Sequence, residues 1–416
     1  MIDQVLATQT LYQLDNGLRL LVDPVPGQKT FALTALVHGG ARFETEAQSG
    51  WAHLLEHMVF KGAGARSTRQ LAEAIEHRGG SVNASTGYEH TRFEVRGLAA
   101  LMPLAFEIVA DMMFRPTLDP IEMKREKKVV EQEMLEAYDT PDDHVFDLLQ
   151  EAMFAHQSLG RPILGTKASL KPVTPDALRA YATALYAPSR MVLCVSGGIS
   201  PEDALAAARA HFDVPAPQAI LIEPEPARFT AETRVQKRRI EQANVALAWQ
   251  TAGRLSPDNI PLKLFSEILG GGMASRLFQQ AREERGLAYD IDSWATTYLD
   301  IGVLGVSAGC AAKDVAELTR LARDVVAALA ADPRPEELER ARAQYLTGLA
   351  FNFQDTEWRS SAFAGQLSSF GKVYAFEDET AEVEAVTLDD LRRVGAAIAA
   401  QPQPATALLG PKAAMA

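Results

Sequence analysis

Two histidines and a glutamate stand close together in the segment WAHLLEHMVF, residues 51–60. An α-helix advances by about 100° per residue, so His53, Glu56 and His57 would project from one stripe of a helix here. Two imidazoles one turn apart can hold one metal ion, and a carboxylate beside them can act on water bound to that ion. The other positions are apolar around the whole helix, which predicts a buried helix where unpaired ionisable groups are costly. The segment therefore predicts a metal site, and the alternative is a pair of hydrogen-bonded core histidines.

A second segment with helical spacing, residues 121–138, carries five glutamates. Glu126 and Glu133 lie seven residues apart, about two helical turns, and fall in the middle of the apolar stripe of this segment. Glu131 falls on the solvent side, as expected of a glutamate-rich surface helix. Two carboxylates on a buried face need a cation or a proton. A catalytic zinc site normally uses three protein ligands and keeps one position for water, so this helix is a candidate source of the third ligand.

The pattern HLLEH, followed 76 residues after its second histidine by a glutamate, resembles the pitrilysin and insulysin family of inverzincin metallopeptidases. The chain is similar in length to the short members, such as the catalytic subunit of mitochondrial processing peptidase and its bacterial relatives. The resemblance implies that His53, His57 and Glu133 hold Zn²⁺, with one ion per chain. It also makes Glu56 the general base that activates water, and Glu126 a carboxylate that supports the ligands.

A further match to the family lies in residues 81–96. Apolar and charged residues alternate over 91–96, which predicts a half-buried strand, and turn formers around 81–86 favour an exposed edge strand before it. Members of the family use an Asn-Ala pair on such an edge to bind the backbone of the substrate, and here that pair is Asn83 and Ala84. Strand addition would let one peptidase bind many sequences, because backbone hydrogen bonds do not read side chains. The alternative is an ordinary edge strand.

Arg282 and Tyr289 lie seven residues apart after a glycine triplet at 270–272. The triplet is not followed by the Lys-Ser/Thr pair of a phosphate-binding loop. The resemblance matches Arg282 and Tyr289 to the arginine and tyrosine that family members place over the scissile bond. Their hydrogen-bond donors would hold the substrate carbonyl and stabilise its developing oxyanion. Without the resemblance, the same residues would be a surface arginine and a core tyrosine.

The chain has 416 residues, enough for two domains of roughly 200 residues each. Four prolines in the segment 214–230 indicate an extended linker. We predict an N-terminal zinc-binding domain at 1–217, a Pro-rich linker at 218–230 and a C-terminal domain with the Arg/Tyr pair at 231–416. Both halves begin with strand-like runs and continue with helical segments and a further strand region. This order favours the α+β class and an internal duplication.

The resemblance adds an expectation about assembly. It implies that each half is a mainly antiparallel sheet covered by helices, and that the chain forms half of a clam-shell chamber. Long family members build the chamber from four such domains, so two of these chains would be needed, with Arg282 and Tyr289 of one chain facing the zinc of the other. Because one chain carries both motifs, a homodimer is expected, and a heterodimer with a related subunit is the alternative.

The composition excludes several classes of partner. Lys and Arg number 41 against 54 Asp and Glu, and the resulting net charge of −13 disfavours nucleic acid and anionic membranes as partners. No run of about 18 uncharged apolar residues occurs that could span a bilayer. The first residues lack the pattern of a secretory signal, which predicts a cytoplasmic protein, or a periplasmic one if a signal peptide was removed. Cys194 and Cys310 are expected to be buried reduced thiols.

The predicted function is that of a zinc-dependent endopeptidase. It would hydrolyse peptides or small unfolded polypeptides inside a chamber formed by two chains. The alternative is a non-catalytic structural or partner subunit of a heteromeric peptidase complex, since the family also includes members that lost the metal ligands and became core subunits of respiratory complexes. Every position that the resemblance assigns to the metal is filled here, which favours the peptidase.

Overall fold

The computed structural model describes residue 6, residues 8–215 and residues 222–415. Within these residues the chain forms two compact units, each assembled from three stretches of sequence. The first unit comprises Met1–Met134, Pro162–Pro224 and Ala350–Ala375, and the second comprises Leu135–Arg161, Glu225–Leu349 and Phe376–Ala416.

Each unit contains a β-sheet and several helices, which are numbered here along the chain. The strands are β1 (Thr10–Gln13), β2 (Arg19–Pro24), β3 (Thr30–His38), β4 (Ser81–Thr86), β5 (His90–Leu98), β6 (Met191–Gly197), β7 (Thr233–Lys237), β8 (Gln242–Thr251), β9 (Ala288–Thr297), β10 (Gly302–Ala311) and β11 (Ala405–Gly410). The helices are α1 (Trp51–Val59), α2 (Thr68–Glu76), α3 (Met102–Phe114), α4 (Pro120–Asp139), α5 (Pro141–Met153), α6 (Lys167–Leu170), α7 (Pro175–Leu185), α8 (Pro201–Phe212), α9 (Asn259–Gly270), α10 (Val315–Ala331), α11 (Pro335–Asn352), α12 (Thr356–Phe370), α13 (Phe376–Ala385) and α14 (Leu388–Ala399).

The sheet of the first unit has the strand order β1-β2-β6-β3-β5-β4. The β2–β6 pair is parallel, and the other pairs are antiparallel. Its central strands are apolar on both faces because helices cover both. In β2, Leu20 and Val22 belong to the large core that includes the apolar side chains of α1, α3 and α7, whereas Leu21 packs with Phe363 of α12 on the opposite face. This continuous burial is typical of a strand without a solvent-facing side.

The sheet of the second unit repeats the connectivity of the first. Its order is β7-β11-β8-β10-β9, in which β7–β11 is parallel and the other pairs are antiparallel. With β1 set aside, both sheets place the five strands in the order first, fifth, second, fourth and third along the chain. The predicted α+β class, with two similar domains and mainly antiparallel sheets, is therefore confirmed.

The two units differ from the predicted domains by an exchange of helices. The second unit includes α5, which packs on β7, β8 and β11, and the first unit includes α12, which packs on β3 and β6. An ion pair holds α12 in place: the Arg359 guanidinium donates to both carboxylate oxygens of the fully buried Asp23, each at 2.7 Å. The predicted domains, 1–217 and 231–416, do not include this exchange. They assume that the helices of each half of the sequence cover the sheet of the same half. Residues 218–221 of the predicted linker lie outside the described residues.

Several predicted elements are confirmed with longer bounds. The half-buried strand predicted over 91–96 lies within β5, and the helical segment at 121–138 lies within α4. Cys194 and Cys310 are buried free thiols, as predicted. Among the helices that the structure describes, none is both long and apolar enough to cross a bilayer.

Candidate active site

Helix α1 presents ionisable side chains on the side that its apolar side chains leave free. The side chains that it buries in the core of the first unit are Ala52, Leu54, Leu55, Met58 and Val59. His53, Glu56 and His57 are half-buried on the remaining side of the helix. The predicted helix is therefore confirmed, and its burial is confined to the side away from the ionisable groups.

The start of α1 is fixed by a buried carboxylate. Glu44, which is 5% exposed, accepts hydrogen bonds from the backbone N–H of Gly50 at 2.8 Å and of Ala52 at 2.7 Å. These bonds use N–H groups that the first turn of a helix leaves without partners, and the negative charge suits the positive end of the helix dipole. Gly50 has φ of +86°, and a Cβ there would lie 2.6 Å from the carbonyl oxygen of Leu164, so only glycine fits. The two histidines follow within two turns of this anchored end.

His53, His57 and Glu133 converge in the first unit. The Nε2 atom of His57 lies 3.4 Å from Oε2 of Glu133, and Nε2 of His53 lies 3.9 Å from the same oxygen. The centroids of the two imidazole rings are 4.7 Å apart. One ligand atom from each of the three residues lies within 4.8 Å of the others.

The chemistry and spacing of this cluster fit a zinc ion. Ligands about 2.0–2.2 Å from zinc at tetrahedral angles would lie roughly 3.3–3.6 Å from one another. The 3.4 Å between His57 and Glu133 falls in this range, and the 3.9 Å between His53 and Glu133 is slightly longer. Oε2 of Glu133, the oxygen that faces both imidazoles, is buried and makes no hydrogen bond to the residues that the structure describes. Burial, and then the charge of His57, lowers the pKa of His53 to about 4, which favours the neutral imidazole that a metal requires.

Glu126 lies behind His57 rather than in the cluster. Its Oε2 atom is 3.1 Å from Nδ1 of His57, and its Oε1 atom forms a salt bridge of 2.9 Å with Nζ of Lys61. The side chain is buried, with the residue 4% exposed. A carboxylate on the outer nitrogen of a histidine fixes its ring orientation and leaves Nε2 as the ligand atom.

Glu56 extends from α1 toward strand β4. Its Oε2 atom accepts a hydrogen bond of 2.6 Å from Oγ1 of Thr86, the last residue of β4. Burial is the largest cause that raises the pKa of Glu56 above its usual value, and the hydrogen bond from Thr86 opposes it. The site therefore combines three candidate metal ligands with a carboxyl group whose pKa is raised.

Asn83 and Ala84 lie on β4, which forms one edge of the first sheet. Ala84 is buried on the side of the sheet that packs against α1, while Asn83 is exposed. Residues 91, 93 and 95 of the neighbouring β5 are buried in alternation, as the pattern predicts. The predicted edge strand is therefore present next to the helix that carries the histidines.

Arg282 and Tyr289 belong to the second unit and contact each other. The guanidinium carbon of Arg282 lies 4.4 Å from the centroid of the Tyr289 ring and 4.7 Å from that of Phe278. Arg282 is in a short π-helix, Phe278–Glu283, and Tyr289 is near the start of the edge strand β9. Tyr289 is 78% exposed, so it is not the core tyrosine expected without the family resemblance.

Sequence reasoning missed three residues that hold this site together: Glu44, Lys61 and Thr86. Glu44 lies six residues before Gly50, a spacing without a helix-capping motif. Lys61 and Thr86 act across 65 and 30 residues, on Glu126 and Glu56, so local patterns hold no signal for these contacts.

Two family models match the chain. Residues 21–167 match the model described as Insulinase (Peptidase family M16), and residues 172–345 match the model described as Peptidase M16 inactive domain. The chain belongs to peptidase family M16. The three candidate metal ligands lie within the first match, and the M16 inactive-domain match lies over the half without an HLLEH pattern. The predicted family is therefore confirmed.

Relatives and solved structures agree with the M16 assignment. A zinc protease of Bacillus subtilis is 33% identical over 381 residues, which cover 91% of this chain and 92% of that protein. A protease from Helicobacter pylori has the same fold, with a TM-score of 0.90, 20% identity and coverage of 98% of this chain and 100% of the other. A chain of Complex III2 from Candida albicans matches with a TM-score of 0.84 and 18% identity, over 96% of this chain and 95% of that one. Zinc proteases and a chain of Complex III2 are thus both represented among proteins similar to this chain.

Proposed function

We propose that this chain is a zinc-dependent endopeptidase that hydrolyses peptides or small unfolded polypeptides. The observation that carries the proposal is the convergence of His53, His57 and Glu133, with ligand atoms within 4.8 Å of one another. Two imidazoles and one carboxylate are a ligand set of zinc hydrolases, and they leave a position on the ion for water or substrate. The alternative of a non-catalytic subunit would require no such set, and the complete cluster favours the enzyme.

Zinc bound by these three residues would polarise the substrate carbonyl and make water more acidic. Glu56 accepts the proton that the attacking water loses and delivers it to the nitrogen of the leaving amine. Its raised pKa, which results mainly from burial, suits a group that must both take and give a proton. His57 keeps its ligand orientation through Glu126, which Lys61 holds in turn.

The free edge of β4 supports a proposal for substrate binding. An extended peptide would add to this edge as a further strand, with Asn83 and Ala84 as the contact residues. The edge lies beside α1, so a peptide bound there passes the zinc ligands. Backbone pairing favours unfolded segments over folded proteins as substrates.

A digest of a mixed peptide pool tests the proposed activity. We expect cleavage by the purified chain, loss of cleavage after chelation, and recovery when zinc is added back, because the ligands lose their ion to the chelator. Mass spectrometry of the products would give the cleavage sites. A zinc-loaded chain that cleaves no peptide in the pool would favour the non-catalytic subunit.

Glu126→Gln is expected to weaken zinc binding or turnover by roughly 10- to 100-fold, the range for groups that orient a metal ligand. The amide keeps the shape of the side chain but removes the charge that pairs with Lys61 and with the outer nitrogen of His57. Competition with a zinc chelator of known affinity measures the change. Glu136→Gln, an exposed position on the same helix, is the matched control and should bind zinc as the wild type does. Equal affinity in both variants would remove Glu126 from the site.

We further propose that two chains form the working enzyme, with Arg282 and Tyr289 of one chain acting at the zinc of the other. Support comes from the family resemblance and from the exposure of Tyr289, which leaves its hydroxyl accessible to a substrate. Donors aimed at the developing oxyanion complement a metal on the other side of the peptide. A homodimer provides both parts, and a heterodimer with a related subunit is the alternative.

Mixing Glu56→Gln chains with Tyr289→Phe chains tests the shared site. In a random mixture half of the dimers are mixed, and each mixed dimer regains one complete site, so activity should approach about one quarter of the wild-type value. The rise should exceed the mean of the two parent preparations measured at the same total concentration. Subunit exchange is verified with two affinity tags. No recovery after confirmed exchange would place the complete site in one chain or with a different partner.

A further inference from the structure

The hydrogen-bonding pattern of β4 identifies which of its residues face the free edge. The N–H of Gly87 donates to the carbonyl oxygen of His90 at 2.8 Å, which closes the hairpin between β4 and β5. In an antiparallel pair, hydrogen-bonded and non-hydrogen-bonded positions alternate along each strand. Thr86 therefore directs its N–H away from β5, and so do Ala84 and Val82. These outward groups form the edge on which an extended peptide would pair.

The hydroxyl of Thr86 is already engaged by Glu56. It donates to Oε2 of Glu56 at 2.6 Å. Because side chains alternate across a strand, the Thr86 side chain points to the same side as that of Ala84, toward α1. Glu56 is thus held at the end of β4 by the side chain of the last residue of this strand.

We infer that Thr86 is a positioning residue for Glu56, an assignment that rests on the proposed function. The hydroxyl bond from Thr86 holds one carboxylate oxygen of Glu56 and occupies about one of the four lone-pair sites of the group. The remaining sites can accept hydrogen bonds from water. Since Thr86 is continuous with the edge formed by Val82 and Ala84, the same strand aligns the peptide and the base.

This arrangement separates substrate binding from base alignment. Peptide pairing uses backbone groups of β4, which do not depend on the hydroxyl of Thr86. Thr86→Val keeps the shape of the side chain but removes the hydroxyl bond to Glu56. Thr86→Ser keeps the hydroxyl. Ser85→Ala, on the adjacent exposed position of the same strand, removes a hydroxyl from the other face and is the matched control.

Steady-state kinetics of these three variants test the inference on a fluorogenic peptide built from a site that the wild type cleaves. We expect Thr86→Val to lower kcat by roughly 10- to 100-fold, the range for losing a hydrogen bond to a charged group, with KM and zinc content close to wild type. Thr86→Ser and Ser85→Ala should retain most of the activity. Wild-type kcat in Thr86→Val, or an equal loss in Thr86→Val and Thr86→Ser, would overturn the inference.

Crystal structures of the metal-free variants give a readout that does not depend on turnover. We expect the Glu56 carboxylate to leave its position or occupy several rotamers in Thr86→Val, and to stay in place in Thr86→Ser. An unmoved carboxylate in Thr86→Val would overturn the positioning role even if the chain is an active peptidase. Absence of hydrolysis by the zinc-loaded wild type would instead overturn the proposed function, while the crystal structures would still decide whether Thr86 holds Glu56.

Discussion

A chain carrying Glu56→Gln is expected to keep its zinc and to lose peptide hydrolysis by roughly 10²- to 10⁴-fold, the usual contribution of a general base. The amide has the size of the carboxylate and can still accept a hydrogen bond from Thr86, but it cannot take a proton from water. The three candidate ligands, His53, His57 and Glu133, are unchanged, so zinc content should stay at the wild-type level. Turnover of a defined peptide and metal analysis of the same sample measure both effects.

The matched control for Glu56→Gln is Glu136→Gln, which makes the same chemical change at an exposed position. It should have wild-type turnover. Substantial hydrolysis by zinc-loaded Glu56→Gln would show that another group accepts the proton. Loss of zinc from Glu56→Gln would instead mean that Glu56 contributes to metal binding.

His57→Ala is expected to abolish both zinc binding and hydrolysis. The substitution removes the imidazole that contacts Glu133 through Nε2 and Glu126 through Nδ1, so it breaks the cluster and strands the buried Glu126 carboxylate beside Lys61. Zinc at a free concentration 100-fold above its dissociation constant should stabilise the wild type by about 2.7 kcal/mol, by mass action. The variant should gain no such stabilisation. Thermal unfolding with and without added zinc measures the difference.

His77→Ala is the control for this loss, since His77 is exposed at the end of α2 in the same unit. It should bind zinc and be stabilised as the wild type is. A normal zinc-dependent shift in His57→Ala would contradict the proposed ligand set. A normal shift together with lost turnover would assign His57 to catalysis without a role in metal binding.

The sequence was most informative where helical spacing and ionisable residues coincide. The helical spacing of the ionisable residues in HLLEH predicts α1. The same kind of spacing in residues 121–138 predicts that Glu126 is buried, and Glu126 is 4% exposed. The same spacing also places Glu133 in the apolar stripe, but the side chain of Glu133 is 36% exposed. The spacing argument assumes that the rest of the protein covers the whole apolar stripe of the helix. In the structure, α4 buries only Met123, Glu126 and Val130 among its described residues.

Contacts between distant segments were beyond the reach of local patterns. The exchange of α5 and α12 between units depends on which sheet face each helix covers, and both sheets have apolar faces to cover. The hydrogen bond from Thr86 to Glu56 depends on the register of β4 with β5, which brings the end of the strand to α1. Register follows from pairing across the sheet, so the spacing within either segment does not specify it.

Anomalous diffraction at the zinc absorption edge, from zinc-loaded crystals of Glu56→Gln, would show whether His53, His57 and Glu133 bind the zinc ion. The inactive variant allows a peptide to be added without being cut. We expect one strong peak in the first unit, about 2.0–2.2 Å from Nε2 of His53, Nε2 of His57 and a carboxylate oxygen of Glu133. A peak at other residues, or zinc-loaded crystals with no peak between these three side chains, would show that they are not the zinc ligands.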